Sequence, residues 1–350
     1  MVWCRIQALL VCLAVTTVLV TALPPLALNQ DLFRRVNKNS KTSNQDGDPG
    51  IFPGGKNSFA RDGWRVLPPI DGAYIDNSTF KVDDKGSFLT AYVTKDYNAS
   101  KIKRAVIQIH GQYRDSWNQF TYVSNSLKAA ASRKVIQEDE ALIITPMFFS
   151  IMDKGAYPVN KDNISSSKTL VWDDHTWGDC QDAVLPSYNK KGELANPSYS
   201  AKRSGIPVDD LSEHVEGKRA LAETSRAKAK AKGPEVAAPD ALDSIIDFLS
   251  DENKFPNLEK IVLSGFSMGA QLVNRYLAMR PTSPQDSKLL FVISSPASLM
   301  YLTPHRPLEV PKNCPHYNNY KYGLDGKMPD YYKRHKKDDS VNDMRKRYVE

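Results

Sequence analysis

Ile261–Arg280 reads IVLSGFSMGAQLVNRYLAMR, an apolar run that breaks at Gly265-Phe266-Ser267-Met268-Gly269 and resumes with helical spacing from Gln271 to Met279. A strand that turns sharply into a helix crowds its own backbone. Glycines on either side of the turn residue remove the side chains that would clash, and the turn residue is lifted clear. Ser267 takes that apex position, with the first amides of the following helix and the positive end of its dipole directed at the same point. Ser267 is thereby the candidate nucleophile, and the Met268 N–H is one expected oxyanion donor. Such a serine needs a histidine to take its proton and an acid to orient that histidine.

Working outward, RAVIQIHG at Arg104–Gly111 is a short β-branched run closed by a glycine, which predicts a buried strand. Its carboxyl end is where a second oxyanion amide belongs. Gln112 is the expected donor, with Gly111 giving the backbone freedom to turn. His110 reads as a packing residue that hydrogen-bonds the loop, and Asp115 as a helix cap ahead of Trp117. Phe120, Val123, Leu127 and Ala131 then recur at helical spacing, and ALIITPMFF at Ala141–Phe149 is a further buried strand broken by Pro146. Leu242, Ile245, Ile246 and Leu249 share a helical face with Asp240 as N-cap, and EKIVLSG and KLLFVISS are two more strands. Alternating strands and helices predict an α/β class, a mostly parallel sheet with helices on both faces and functional loops at the strand carboxyl ends.

Ahead of this core, STFKV (Ser78–Val82) and SFLTAYVT (Ser87–Thr94) suggest an opening antiparallel pair. The stretch Ile151–Pro239 is too long for a plain loop. Its first part, with VWDDHTWGDC, suggests a lid or substrate wall around Trp172 and Trp177; Lys190–Pro239 is low in complexity. Residues 23–62, rich in Asn, Ser, Asp, Gly and Pro, read as a flexible leader in which Arg34-Arg35 is a dibasic pair of the kind cut in secretory pathways. The folded domain is expected over 63–350.

Hydrophobic residues make up 41% of the 350, enough to bury one large core. Many of the basic residues behind the net charge of +7 sit in two clusters, Lys218–Gly233 and the tail from Tyr331, neither of which shows basic groups on one face with aromatic or polar readers nearby. Nucleic acid is therefore not an expected partner. Residues 1–22 form a signal peptide: one arginine, a long uncharged run and Val20-Thr21-Ala22 as a small-residue cleavage site, with an uncleaved membrane anchor through Ile6–Leu23 as the alternative. Asn77, Asn98 and Asn163 head glycosylation sequons. Once the signal is removed, only Cys180 and Cys314 remain, and in an oxidising compartment they can pair with each other. No Cys/His spacing suggests a metal, and no cofactor motif is present.

The pieces IHGQYRD (Ile109–Asp115), ITPMFF (Ile144–Phe149), GFSMGAQLVNRY (Gly265–Tyr276), SSPASLMYL and CPHYNNYKYGL (Cys314–Leu324) resemble the α/β-hydrolase superfamily, more narrowly its secreted fungal members. The resemblance implies a serine nucleophile at Ser267 and hydrolysis through an acyl-enzyme, with a small or polymeric carboxylic ester as substrate. In that superfamily the acid and then the histidine follow the serine on later loops. Here one strand is evident after Ser267, so those loops are expected beyond Glu350. Of the later histidines, His305 and His316 read as surface or packing residues, and His335 lies in a run of like charge without an evident carboxylate. Asp325 and Asp330 read as turn residues. Three readings follow: a truncated hydrolase, a hydrolase-like binding protein, or a recruited internal histidine. N-terminal sequencing of exported protein is expected to start at Leu23; a chain starting at Met1 would mean that the apolar segment is kept as an anchor.

Overall fold

The computed structural model describes residues 63–157, 168–186, 234–335 and 340–349. The signal segment, the leader to residue 62, Asn163 and most of the low-complexity stretch lie outside the described residues. Among the described residues, eight strands form a six-stranded sheet and a separate two-stranded one. In chain order they are β1 (Ala73–Asp76), β2 (Thr90–Thr94), β3 (Arg104–Ile109), β4 (Ala141–Met147), β5 (Phe149–Ser150), β6 (Val171–Trp172), β7 (Lys260–Phe266) and β8 (Leu289–Ser294). The main sheet runs β1-β2-β4-β3-β7-β8, and β5 pairs with β6. β4, β3, β7 and β8 are mutually parallel; β1 and β2 add antiparallel at one edge. The longer helices are α1 (Ser116–Ser132), α2 (Ala238–Leu249) and α3 (Met268–Met279), followed by the shorter α4 (Asp330–His335) and α5 (Val341–Val349). None of the described helices is long and apolar enough to cross a membrane.

Side-chain alternation along the strands sorts the core into two layers. Ala105, Ile107, Ile109, Ile261 and Leu263 pack with α2 and α3, while Tyr92, Ile143 and Met147 face Trp117 and Phe120 of α1. The fold is therefore α/β with helices on both faces of a mostly parallel sheet. On the α1 side the cover stops short of the β8 edge, where Leu290 and Val292 are exposed.

Local details depart from expectation for physical reasons. STFKV contributes only an isolated bridge between Lys81 and Phe88, and β2 pairs instead with β1 on one side and β4 on the other. Pro146 does not break β4: it sits past the last β3 partner, Ile144, where a missing N–H costs no ladder bond on that side. Ala237, not Asp240, is the N-cap of α2; Asp240 lies at the third helical position and its carboxylate accepts the Ala237 N–H at 2.7 Å. Trp172 and Trp177 are not lid residues, since both are fully buried, Trp177 stacked 5.2 Å from Phe148.

The junction of β7 and α3 is the tightest place in the sheet. A β-carbon on Gly269 would lie 2.5 Å from His110 O and 2.6 Å from Ile109 O, and one on Gly265 would lie 2.4 Å from the Gly269 carbonyl carbon. Gly269→Ala is expected to destabilise the fold by about 1–3 kcal/mol, the range for overpacking a rigid core; urea unfolding measures it, and an unchanged midpoint would refute the crowding.

Candidate active site

Ser267 sits between β7 and α3 with φ 54 and ψ −111, a conformation that costs an L-residue about 1–3 kcal/mol. Its N–H donates to Ser294 O at 2.9 Å, tying the turn to the end of β8. The residue is half-buried, and among the described residues no group hydrogen-bonds its Oγ. Beside it stands the end of β3: a β-carbon on Gly111 would lie 3.5 Å from Ser267 Cβ. Gln112 follows, exposed, in a turn closed by Arg114 N–H donating to Gly111 O at 3.1 Å. Among the described residues the Gln112 and Met268 amides donate to no backbone carbonyl. The structure thus brings Gly111, the residue before Gln112, against Ser267, the residue before Met268.

His110 is completely buried, edge-on to Trp177 at 4.8 Å. Its Nδ1 contacts Gly111 O at 2.8 Å, and its Nε2 accepts the Phe148 N–H at 3.1 Å. Those partners define the neutral Nδ1–H tautomer, and burial lowers the pKa to about 3. Asp115 holds the cap position without a capping bond; its carboxylate accepts from Asn118 Nδ2 at 3.0 Å, and burial raises its pKa to about 6.

Sequence reasoning passed over His175, whose Nδ1 lies 2.5 Å from an Asp174 carboxylate oxygen. It precedes the 3-10 turn Thr176–Asp179, which packs on the start of α3 so closely that a β-carbon on Gly178 would lie 2.7 Å from Met268 Cγ. A His-Thr-Trp string carries no periodic signal that would have exposed this placement. His305 and His316 are exposed. His335 does have a carboxylate, Asp240 at 3.3 Å. Asp240, Asp243 and His335 bring their ligand atoms within 4.8 Å of one another. Arg334 already ion-pairs with Asp240, and Tyr276 and Tyr331 donate to Asp243 at 2.5 and 2.9 Å, so these carboxylates are served from within the protein.

Cys180 and Cys314, which the sequence allows to pair, are both free in this structure, Cys180 buried and Cys314 exposed. Burial raises the Cys180 thiol to about 12. Asn77 and Asn98 are exposed, with their Oδ1 atoms accepting from Thr90 Oγ1 and Ser100 N.

No protein-family model matches this sequence, and no curated protein matches it. Among solved structures, the chain is similar to a poly(3-hydroxybutyrate) depolymerase from Bordetella parapertussis at 16% identity and a TM-score of 0.32, over 75% of this chain and 60% of that one. A poly(aspartic acid) hydrolase from Sphingomonas sp. KT-1 gives 13% identity and 0.31, over 74% and 64%. A siderophore hydrolase from Aspergillus nidulans gives 10% identity and a TM-score of 0.28, over 66% of this chain and 61% of that one. The chain spans less than two thirds of the length of these three proteins.

The unfolded histidine takes a proton near 6.5 and the native His110 only near 3. Stability owed to this group is therefore complete above about 6.5 and declines as pH falls toward 3. Asp115 and Asp243, raised to about 6 by burial, act in the opposite sense below that value. Comparing wild type with His110→Gln, which keeps an acceptor for Phe148 N–H, isolates the histidine: the variant is expected to lose less stability on acidification, and parallel pH profiles would contradict the assignment.

Proposed function

We propose that the chain is a secreted serine hydrolase of the α/β-hydrolase kind, acting on a small or polymeric carboxylic ester through an acyl-Ser267 intermediate. The observation that carries this is the left-handed turn at Ser267, held between β7 and α3 with Gly111 against its side chain. Ser267 Oγ attacks the ester carbonyl carbon, and the carbonyl oxygen becomes an oxyanion facing the Gln112 and Met268 amides. Collapse breaks the ester C–O bond and the alcohol departs with the proton lost by the serine; water then hydrolyses the acyl-serine. Export after removal of residues 1–22 and glycosylation at Asn77, Asn98 and Asn163 go with this reading, as does the absence of any cofactor or nucleic-acid partner from the proposal.

A second reading, a hydrolase-like protein that binds rather than turns over, is favoured by one observation: no described side chain hydrogen-bonds Ser267 Oγ. The two separate on a fluorophosphonate probe. Stoichiometric labelling at Ser267, lost in Ser267→Ala, is expected; folded protein that stays unlabelled would leave only the binding reading.

A further inference from the structure

The turn Gly111–Arg114 is pinned on both sides of Gln112. The direction of the Gln112 N–H is set by the Gly111–Gln112 peptide plane, because N–H and C=O of a trans peptide point opposite ways. That plane is held through Gly111 O, which accepts from Arg114 N at 3.1 Å and lies 2.8 Å from His110 Nδ1. The next plane is held through Gln112 O, which accepts from Arg114 Nη1 at 2.9 Å. One residue later the Trp64 indole N–H donates to Tyr113 O at 2.7 Å.

Arg114 can do this because its own side chain is immobilised. It is fully buried with φ 56, so the side chain folds back beneath the turn that its backbone closes. Nε and Nη2 grip the two carboxylate oxygens of Asp153 at 2.7 and 3.0 Å, a bidentate pair. Asp153 also accepts Trp64 N–H at 2.9 Å and Ser150 N–H at 2.8 Å, so it is held by backbone outside the Gly111–Arg114 turn. A buried ion pair is a weak source of stability, since well-packed apolar replacements are often neutral or better. What an apolar pair could not supply is a planar fork reaching a carboxylate and a carbonyl at once.

We propose that Arg114, anchored on Asp153, is a positioning residue that holds the Gln112 amide toward Ser267, with the Trp64 indole bracing the same turn. This rests on the nucleophile reading above for its catalytic consequence, though not for the clamp itself. Arg114→Lys keeps a charge for Asp153 but cannot span both acceptors; Trp64→Phe keeps an aromatic ring near Trp117 and removes the indole donor with part of the ring's volume.

Two measurements on each variant decide the matter. In fluorophosphonate labelling, Arg114→Lys is expected to slow the maximal inactivation rate about 10- to 100-fold, with the half-saturating probe concentration unchanged, less than or equal to the loss of one oxyanion donor. Trp64→Phe is expected to act in the same direction more weakly. In amide hydrogen exchange, Gln112 and Tyr113 are expected to exchange about tenfold faster or more, on the scale of local opening, while β3 and α3 keep wild-type protection. Folded variants that label at the wild-type rate would overturn the proposal. Should wild type itself fail to label, the nucleophile reading falls, and exchange alone decides the clamp: unchanged rates at Gln112 and Tyr113 in both variants, or in Trp64→Phe where Arg114→Lys does not fold, overturn it.

Discussion

The backbone of β7 and α3 passes the carboxyl end of β3 more closely than a methyl group permits, and the arrangement of the site follows from that approach. With no β-carbon at Gly265 or Gly269, α3 can start directly against the carbonyls of Ile109 and His110. The chain then has to reverse within a single residue, which places Ser267 at positive φ. Burial on either side offsets the local strain. Ile261 and Leu263 before the turn, and Leu272, Val273 and Tyr276 after it, are inaccessible to solvent. Each such side chain contributes about 1.5–3 kcal/mol of transfer free energy, against about 1–3 kcal/mol for one strained residue.

α3 holds more than the serine, because its buried face is partly polar. Gln271 Oε1 accepts from Ser298 Oγ at 2.6 Å, Asn274 Oδ1 accepts Met300 N–H at 2.8 Å, and the fully buried Arg275 donates to Ser298 Oγ at 2.8 Å and to Gly178 O. Arg275 also lies 3.3 Å from Asp179, which Lys321 approaches at 3.0 Å from the other side. Buried polar groups are costly unless paired, so these bonds specify where the chain after β8 and the turn at Thr176–Asp179 must lie. The strings GFSMGAQLVNRY and SSPASLMYL are thus joined in space.

The sequence is legible where periodicity and steric necessity coincide. Runs such as RAVIQI and KIVLS admit only a buried strand, and glycines around Ser267 admit only a tight turn, so the parallel core and the elbow can be read directly. Legibility fails where the deciding force acts at long range. β1 has four residues and no pattern of its own; it exists because β2 offers a free edge. Arg114 and Asp153 are 39 residues apart, and nothing local in either marks a bidentate pair. Trp172 and Trp177 lie in a polar-looking string that suggests surface, yet their burial is dictated by the aromatic cluster of His110 and Phe148.

Proton transfer separates what this constellation can do from what it cannot. His110 is the histidine nearest in sequence to the oxyanion turn, but both ring nitrogens are committed, Nδ1–H to Gly111 O and Nε2 to the Phe148 N–H. Accepting a proton at Nε2 would put two donors face to face inside an apolar aromatic cage, which is the same physics that keeps the ring neutral down to about pH 3. What His110 holds is the Gly111 carbonyl, 2.8 Å from its Nδ1. An oxyanion cradle acting without a general base still gives roughly 10³–10⁴-fold acceleration over water. That residual term depends on donor direction, so under the proposed reaction Arg114, Asp153 and Trp64, which hold the turn at Gln112, bear on the rate through the Gln112 amide.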